Sequence, residues 1–342
     1  MTKRRDKRMG HTIHDVARLA GTSKSTVSRY LNGQKIKKET KEALDKAIET
    51  LNFHRNVNAR RLVTNKTHTI GVIVDDISNV FYSGIIKGIE FVANQHGYNC
   101  IFLSWTSNYN KEISFLNYLY EGQVDGVILL SFRKREEQDL LEIKQSAYPI
   151  ALIGDHGEMD GIFSVDVDNA AGISEVVSYL HGIGHHAIAY ISGPECAAAS
   201  KYRLKGYRQT MESLGLGYHP EWVIEADWSN SGGYAAMEKL MTVEGITAVV
   251  SSTDETAIGA LRALQQNGKH VPDDMSIVGF DDITLASWVY PSLTTVRQPF
   301  REIGMKAAEG LFNKIEGAVD VDWTHHLLKP ALIVRDSCGK RS

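Results

Sequence analysis

The chain has 342 residues, 43% hydrophobic and 23% charged, which is enough for two or three domains with a sizeable buried core. This composition excludes bulk disorder and collagen-like repeats. Cys100, Cys196 and Cys338 are odd in number, far apart and form no CxxC pair, so a disulfide scaffold is excluded as well. The formal net charge is only −3, yet the first 68 residues carry 17 Lys and Arg against six Asp and Glu, while the remainder carries 21 against 35. A basic head on an acidic body is the charge pattern of a chain whose head meets a polyanion. The basic amino terminus lacks the apolar core of a signal peptide, and no window reaches the ~18 apolar residues of a membrane span, so a cytoplasmic location is expected.

In chain order, the first helix is predicted after Thr12, with Ile13, Val16, Ala17 and Ala20 on one face and Asp15 placed to complete a capping box. Gly21 breaks it. Ser23 can cap a second helix that turns Val27, Tyr30 and Leu31 inward and stops at the turn dipeptide Asn32-Gly33. A third shows Ala43, Leu44, Ala47, Ile48 and Leu51 on a single face. Helix, glycine turn and helix at this spacing match a helix-turn-helix, which lays its second helix in the DNA major groove. On that helix Lys24, Ser25 and Arg29 avoid the apolar face; Arg29 suits a bidentate pair to guanine, and Thr12, Ser23, Thr26 and Ser28 offer hydroxyls to phosphate. Glycine-broken helix pairs are common, so this pattern alone leaves a purely structural pair open.

From Thr69 onward, short apolar runs alternate with amphipathic helical stretches. The runs are Ile70–Val74, Asn99–Leu103, Gly126–Leu130, Ile150–Gly154, Ala187–Ser192, Ala248–Ser252 and Ser276–Phe280. Runs of this length and composition between helices predict parallel sheets covered on both faces. All seven prolines lie at or beyond Pro149, as an all-helical head followed by a loop-bearing α/β body requires. Ligands of such sheets bind beyond the carboxyl ends of the strands. Polar or aromatic residues stand there: Asp75, Asp76 and Phe81; Ser131, Phe132 and Arg133; Asp155; Trp228; Thr253 and Asp254; Asp281 and Asp282.

The segments TIHDVARLAGTSKSTVSRYLNG, LNFHRNVNARRL, TIGVIVDDISNVFYSGIIKGIE, VGFDD and PSLTTVRQP, in this order, resemble the lactose repressor (LacI/GalR) family of transcription regulators from Thr12 to nearly Asp336. The resemblance implies a helix-turn-helix domain over 1–56, a hinge over 57–68, and a two-lobed core like periplasmic sugar-binding proteins over 69–338. The expected lobes are 69–163 plus 295–325, and 164–294 plus 326–338. It places Asn32 with the DNA-contacting residues. It also makes Asn56 to Leu62 a hinge helix that enters the minor groove on specific DNA, with Leu62 as an apolar wedge beside Ala59. By the same resemblance Phe81, Asp155, Arg203, Trp228, Thr253 and Asp281 line an effector cleft, where an indole wall and a carboxylate with a guanidinium suit a sugar or sugar derivative. Ala197 and Ala199 stand where purine-binding relatives carry Arg and Thr, which disfavours a purine. Arg55 replaces a common proline and Lys37 a common capping serine.

No GxxxxGK[ST] loop, GxSxG elbow or nucleophile–base spacing is present, and His185-His186 and His325-His326 are adjacent rather than at metal-ligand spacing. No enzyme activity, cofactor or metal is expected. Leu327–Val334 is followed by only eight residues, without a heptad-bearing helix, so the expected assembly is a homodimer through the core on a palindromic double-stranded operator. Taken together, the reading is a ligand-responsive repressor of carbohydrate-use genes. Three alternatives remain: a global regulator activated by a phosphocarrier protein; a transport-type sugar-binding protein, which would need an export signal and no basic head; and a cytoplasmic enzyme on this fold.

Overall fold

The computed structural model describes residues 11–31, 33–53, 66–74, 76–104, 116–131, 136–154, 161–318 and 325–341. It divides into two compact units, Met1–Thr67 and His68–Ser342. Most of the expected 57–68 hinge lies outside the described residues.

The first unit holds helices α1 (Ile13–Leu19), α2 (Lys24–Leu31) and α3 (Lys38–Thr50). At the start of α1 the Asp15 carboxylate accepts the Thr12 N–H at 2.9 Å and the Thr12 hydroxyl at 2.8 Å, the reach-back expected of a capping box. Gly21, at φ +62°, then lets the Thr22 N–H close on the Ala17 carbonyl at 2.9 Å and ends the helix. Ser23 accepts the Thr26 N–H at 3.2 Å and starts α2. Lys37 sits at the N-cap of α3 and makes no side-chain capping bond, as its long cationic chain dictates. Val16, Val27 and Leu44, one from each helix, are fully buried together with Ala17 and Ala47. Each large member contributes about 1.5–3 kcal/mol by leaving water, so three short helices without independent stability share one small core.

The second unit is built on two parallel sheets. The strands are β1 (Thr69–Val74), β2 (Asn99–Ser104), β3 (Gly126–Leu130), β4 (Ile150–Ile153), β5 (Ser164–Val167), β6 (Ile188–Ser192), β7 (Val223–Glu225), β8 (Ala248–Ser251), β9 (Ser276–Val278), β10 (Thr295–Arg297), β11 (His325–Leu328) and β12 (Ala331–Ile333). One sheet runs β11-β5-β4-β3-β1-β2 and the other β7-β6-β8-β9, while β10 and β12 form an antiparallel ribbon. Apolar side chains alternate between the two faces of each sheet: Ile128 and Leu130 of β3 enter one core, Val127 and Leu129 the other. In β6, Ala189 and Ile191 face one core while Ile188 and Tyr190 face its opposite. This double burial is why the strands read as unbroken apolar runs.

Helices α4 (Ser83–Gln95), α5 (Asn117–Tyr120) and α6 (Glu137–Gln145) belong to the first lobe, and α7 (Asn169–Gly182), α8 (Ala198–Ser213), α9 (Asn230–Leu240) and α10 (Asp254–Gln266) to the second. The last helix, α11 (Phe300–Glu316), returns to pack on α4 and the first sheet. The crossings fall a few residues beyond the expected 163 and 325. β5 and β11 pair with each other in the first sheet, Ser164 opposite His325 and Val167 opposite Leu328, and Thr295–Arg297 stays with the second lobe. Polar Ser164 and Asp166 hide this strand from an apolar-run reading, although all four residues of β5 are buried. The Asp168 N–H donates to the Leu328 carbonyl at 2.9 Å and so ties two crossings together.

Candidate functional site

Helix α2 carries the side chains that the sequence pattern assigns to nucleic acid. Lys24, Ser25 and Arg29 are exposed, Thr26 and Ser28 half-buried, and Val27 is packed inward. The Tyr30 hydroxyl donates to the Asp45 carboxylate and fastens α2 to α3; that bond pushes the phenol pKa up. The hydroxyls divide by role. Ser23 lies 2.8 Å from both the Ser25 and Thr26 oxygens, a cluster at the helix start, and the Thr12 hydroxyl proton goes to Asp15. Those bonds, the Thr12 backbone bond first, hold the Asp15 carboxyl below its usual range. Lys24, Ser28 and Arg29 therefore remain the side chains of α2 with no local hydrogen-bonding duty shown, on the face opposite the core. Asn32, Asn56, Ala59 and Leu62 lie outside the described residues.

In the second unit Arg203 is buried on α8 and acts as the hub of a polar cluster. Its Nε donates to Asn169 Oδ1 at 2.7 Å, one Nη donates to the Ser252 carbonyl, the other lies 3.7 Å from Asp281 Oδ1, and the guanidinium stacks 3.8 Å above the Phe280 ring. The close approach of α8 to α7 rests on Gly206, where a Cβ would stand 2.5 Å from the Ala170 carbonyl; this brings Arg203 to Asn169 at the start of α7. Asp281 also accepts from Gln298 Nε2 at 2.6 Å. Burial raises the Asp281 carboxyl, while Arg203 and Gln298 pull it down. Asp254 is raised as well, by burial first and then by the neighbouring Asp281 charge.

The loop after β9 is strained in favour of this arrangement. Asp281 has φ +120° and Asp282 φ +57°, conformations that cost of order 1–3 kcal/mol for a side chain-bearing residue. They persist because the Asp281 N–H bonds the Val296 carbonyl at 2.8 Å, Asp282 takes Arg297 at 2.6 Å and Arg335 at 2.5 Å, and Asp254 accepts the Ile283 N–H at 2.8 Å. Of the two adjacent acids, Asp281 faces the cluster and Asp282 anchors the loop.

Trp228 follows β7 at φ +65°, inside a turn where Asp227 accepts from the Ser229 N–H at 3.0 Å and its hydroxyl at 2.6 Å. Its indole edge passes Gly193, where a Cβ would stand 1.9 Å from Trp228 Nε1 and 2.5 Å from Ser200 Oγ. The glycine is what admits both. Arg203, Asp281 and Trp228 are thus set around the carboxyl ends of β6 to β9, joined by Ser200, Ser252 and Gln298, which the sequence reading did not single out. Two signals were available: Ser200 stands one helical turn before Arg203, and Gln298 lies within the PSLTTVRQP segment.

The remaining cleft candidates sit elsewhere. Phe81 belongs to the first lobe, edge-on to Phe300 at 4.5 Å. Thr253 is the N-cap of α10, accepting the Thr256 N–H at 3.2 Å, so its hydroxyl has a structural duty. Asp155 lies outside the described residues. The histidine pairs separate into structural contacts: His185 is buried against Thr247, Ser276 and the Gly339 carbonyl, and His325 bonds Ser164 at 2.8 Å.

A family model for bacterial regulatory proteins, lacI family, matches residues 12–56, and one for a periplasmic binding protein-like domain matches residues 177–338. Catabolite control protein A of Priestia megaterium is 38% identical over 302 residues, covering 87% of this chain and 91% of that protein. The chain belongs to the lacI family of bacterial regulatory proteins. The HTH-type transcriptional repressor PurR of Vibrio campbellii is 34% identical over 336 residues, covering 96% of the regulator and 99% of the relative. Among solved structures, the lac repressor dimer bound to operator and the anti-inducer ONPF has a TM-score of 0.86 at 27% identity, covering 97% of the regulator and 100% of that chain. A complex of the transcriptional regulator CelR with cellobiose has a TM-score of 0.72 at 29% identity, covering 96% and 99%. The regulator is therefore a ligand-responsive, sequence-specific DNA-binding transcription factor, with a helix-turn-helix unit and a periplasmic-binding-like core. No helix among the described residues is long and apolar enough to cross a membrane.

Proposed function

We propose that the regulator represses carbohydrate-utilisation genes as a homodimer on a two-fold operator, and that a carbohydrate bound at the Arg203–Asp281–Trp228 cluster controls this binding. One observation carries the reading: a buried guanidinium and carboxylate meet at the strand ends of the second lobe, and an indole edge reaches Gly193 with Ser200, one helical turn from that guanidinium, so that a sugar's hydroxyls and C–H face find matching groups. The CelR structure, named as a cellobiose complex, supports the ligand, and the lac repressor structure, named as a dimer bound to operator, supports the assembly. Small, buried Ala197 and Ala199 offer a purine no side-chain hydrogen bond. For the dimer, Leu285, Trp288 and Tyr290 stand 58%, 80% and 89% exposed within six residues, a concentration of large apolar surface that suits contact with a second copy.

The test is a gel-shift measurement on an operator selected from random palindromes, with and without sugars that raise the unfolding temperature. A binding sugar should change operator affinity by a coupling of roughly 1–3 kcal/mol and be recovered chemically unchanged. Operator binding that ignores every stabilising sugar but strengthens with a phosphocarrier protein would favour the protein-activated alternative, and consumption of the sugar would make the chain an enzyme. Light scattering should give a dimer, and Trp288→Glu with Tyr290→Glu should give a monomer.

A further inference from the structure

Four buried side-chain polar atoms without a partner lie around the strand ends of the second lobe, while the Tyr98, Tyr190 and Ser251 hydroxyls are unpaired as well. Ser200 Oγ, Trp228 Nε1, Ser252 Oγ and Gln298 Oε1 are buried and unpaired; Ser252 and Gln298 hold Arg203 and Asp281 directly, and Ser200, one helical turn before Arg203, meets the Trp228 indole edge at Gly193. Ser200 and Trp228 converge on Gly193; Ser252 holds Arg203 through its carbonyl; Gln298 holds Asp281 through its amide nitrogen. An orphaned buried group destabilises a fold, so four around these strand ends point to a ligand that pairs them. Their chemistry is mixed. The indole N–H only donates, the amide oxygen only accepts, and the two hydroxyls do either.

The guanidinium of the cluster is already committed. Arg203 directs its nitrogens to Asn169, the Ser252 carbonyl and Asp281, and its face to Phe280, while Asp281 and the buried Asp254 supply acidic groups nearby. A phosphate or carboxylate entering here would lose its hydration, meet two acids, and find no uncommitted cation among the described residues of the cluster. A hydroxyl loses far less and can donate and accept at once.

We infer that this pocket selects an uncharged, polyhydroxylated ligand over its phosphorylated or carboxylated counterpart, with Ser200 and Ser252 as hydroxyls that determine the selection. The inference rests on the reading of this cluster as the effector site and narrows the ligand class within it.

Titration calorimetry on the full-length protein tests it with glucose, galactose, ribose, cellobiose, maltose and lactose against glucose 6-phosphate, galacturonate and gluconate. At least one uncharged sugar binds, and its charged counterpart binds about a hundredfold weaker or worse. Ser200→Ala and Ser252→Ala each weaken that sugar by about tenfold, while the unfolding temperature of the ligand-free protein stays level or rises because an unpaired group has been removed. A purely structural serine gives the opposite signature, a lower unfolding temperature with affinity unchanged, and overturns the assignment. So does a charged compound that binds as tightly as its parent sugar, or a panel in which no uncharged member binds. A sugar that obeys these rules yet leaves operator affinity untouched sinks the effector reading and leaves the selectivity standing.

Discussion

Helix α2 and the Arg203 cluster place their proposed recognition groups in opposite environments. On α2, Lys24 and Arg29 stand in water on the outer face of a helix whose inner face is closed by Val27, so they can meet a charged backbone or a base edge without first breaking a bond. Around Arg203 the recognition groups are buried and either doubly committed or left unpaired, and strained backbone at Asp281 keeps them so. The difference follows from the partner. A nucleic acid is a large polyanion whose condensed counterions are released on binding, and exposed charge is enough to engage it. A small neutral ligand offers only hydrogen bonds and apolar faces, which compete with water unless the site is dry and shaped in advance.

The largest expected break in this contrast is Arg203→Ala. It leaves Asp281 buried with Gln298 but without its guanidinium, and should lower stability by about 3–5 kcal/mol in urea unfolding of the core. Combining it with Asp281→Asn should recover much of that loss, because the uncompensated charge is gone. Leu44→Ala comes next, at about 2–5 kcal/mol. The three-helix unit has a small core, so this change should abolish operator binding while calorimetry shows sugar binding by the other unit unchanged.

Arg29→Ala sharpens the exposed side of the comparison. It should cost about 1–3 kcal/mol at one base position per half-site and relax preference there, with the unfolding temperature unmoved; binding to a library of operator variants measures it. The smallest effect is a gain. Lys37→Ser supplies the capping oxygen that α3 lacks, and should stabilise the head by roughly 1 kcal/mol, read as a shift in the thermal unfolding midpoint of that unit.

The helical head was legible because its signals are local. Thr12 with Asp15, Gly21, Ser23 and the 3.6-residue spacing of Val27, Tyr30 and Leu31 each describe a contact within a few residues, and the structure makes those contacts. In the core, the apolar runs of β1, β3, β4, β6 and β8 were equally plain. β5 was not: Ser164 and Asp166 interrupt its apolar pattern, and its place is fixed by pairing with β11, about 160 residues away in the chain. Strand β7 and the β10–β12 ribbon, at three residues each, are too short to announce themselves.

What the sequence determined by itself was the kind of residue available: a basic helix-turn-helix, buried parallel strands, and an Arg, a Trp and paired acids near strand ends. Tertiary structure decided which of them face one another. It gave Asp281 to the cluster and Asp282 to the loop anchor, although the two are adjacent, because opposite partners, Gln298 on one side and Arg297 with Arg335 on the other, divide them. Thr253 became a helix cap, and the Ser200 and Ser252 hydroxyls were left buried and unpaired. A serine carries no periodic or charge signal, and its role is set by whether a distant element such as Gly193 or Arg203 closes over it; that information resides in the packing of segments far apart in the chain.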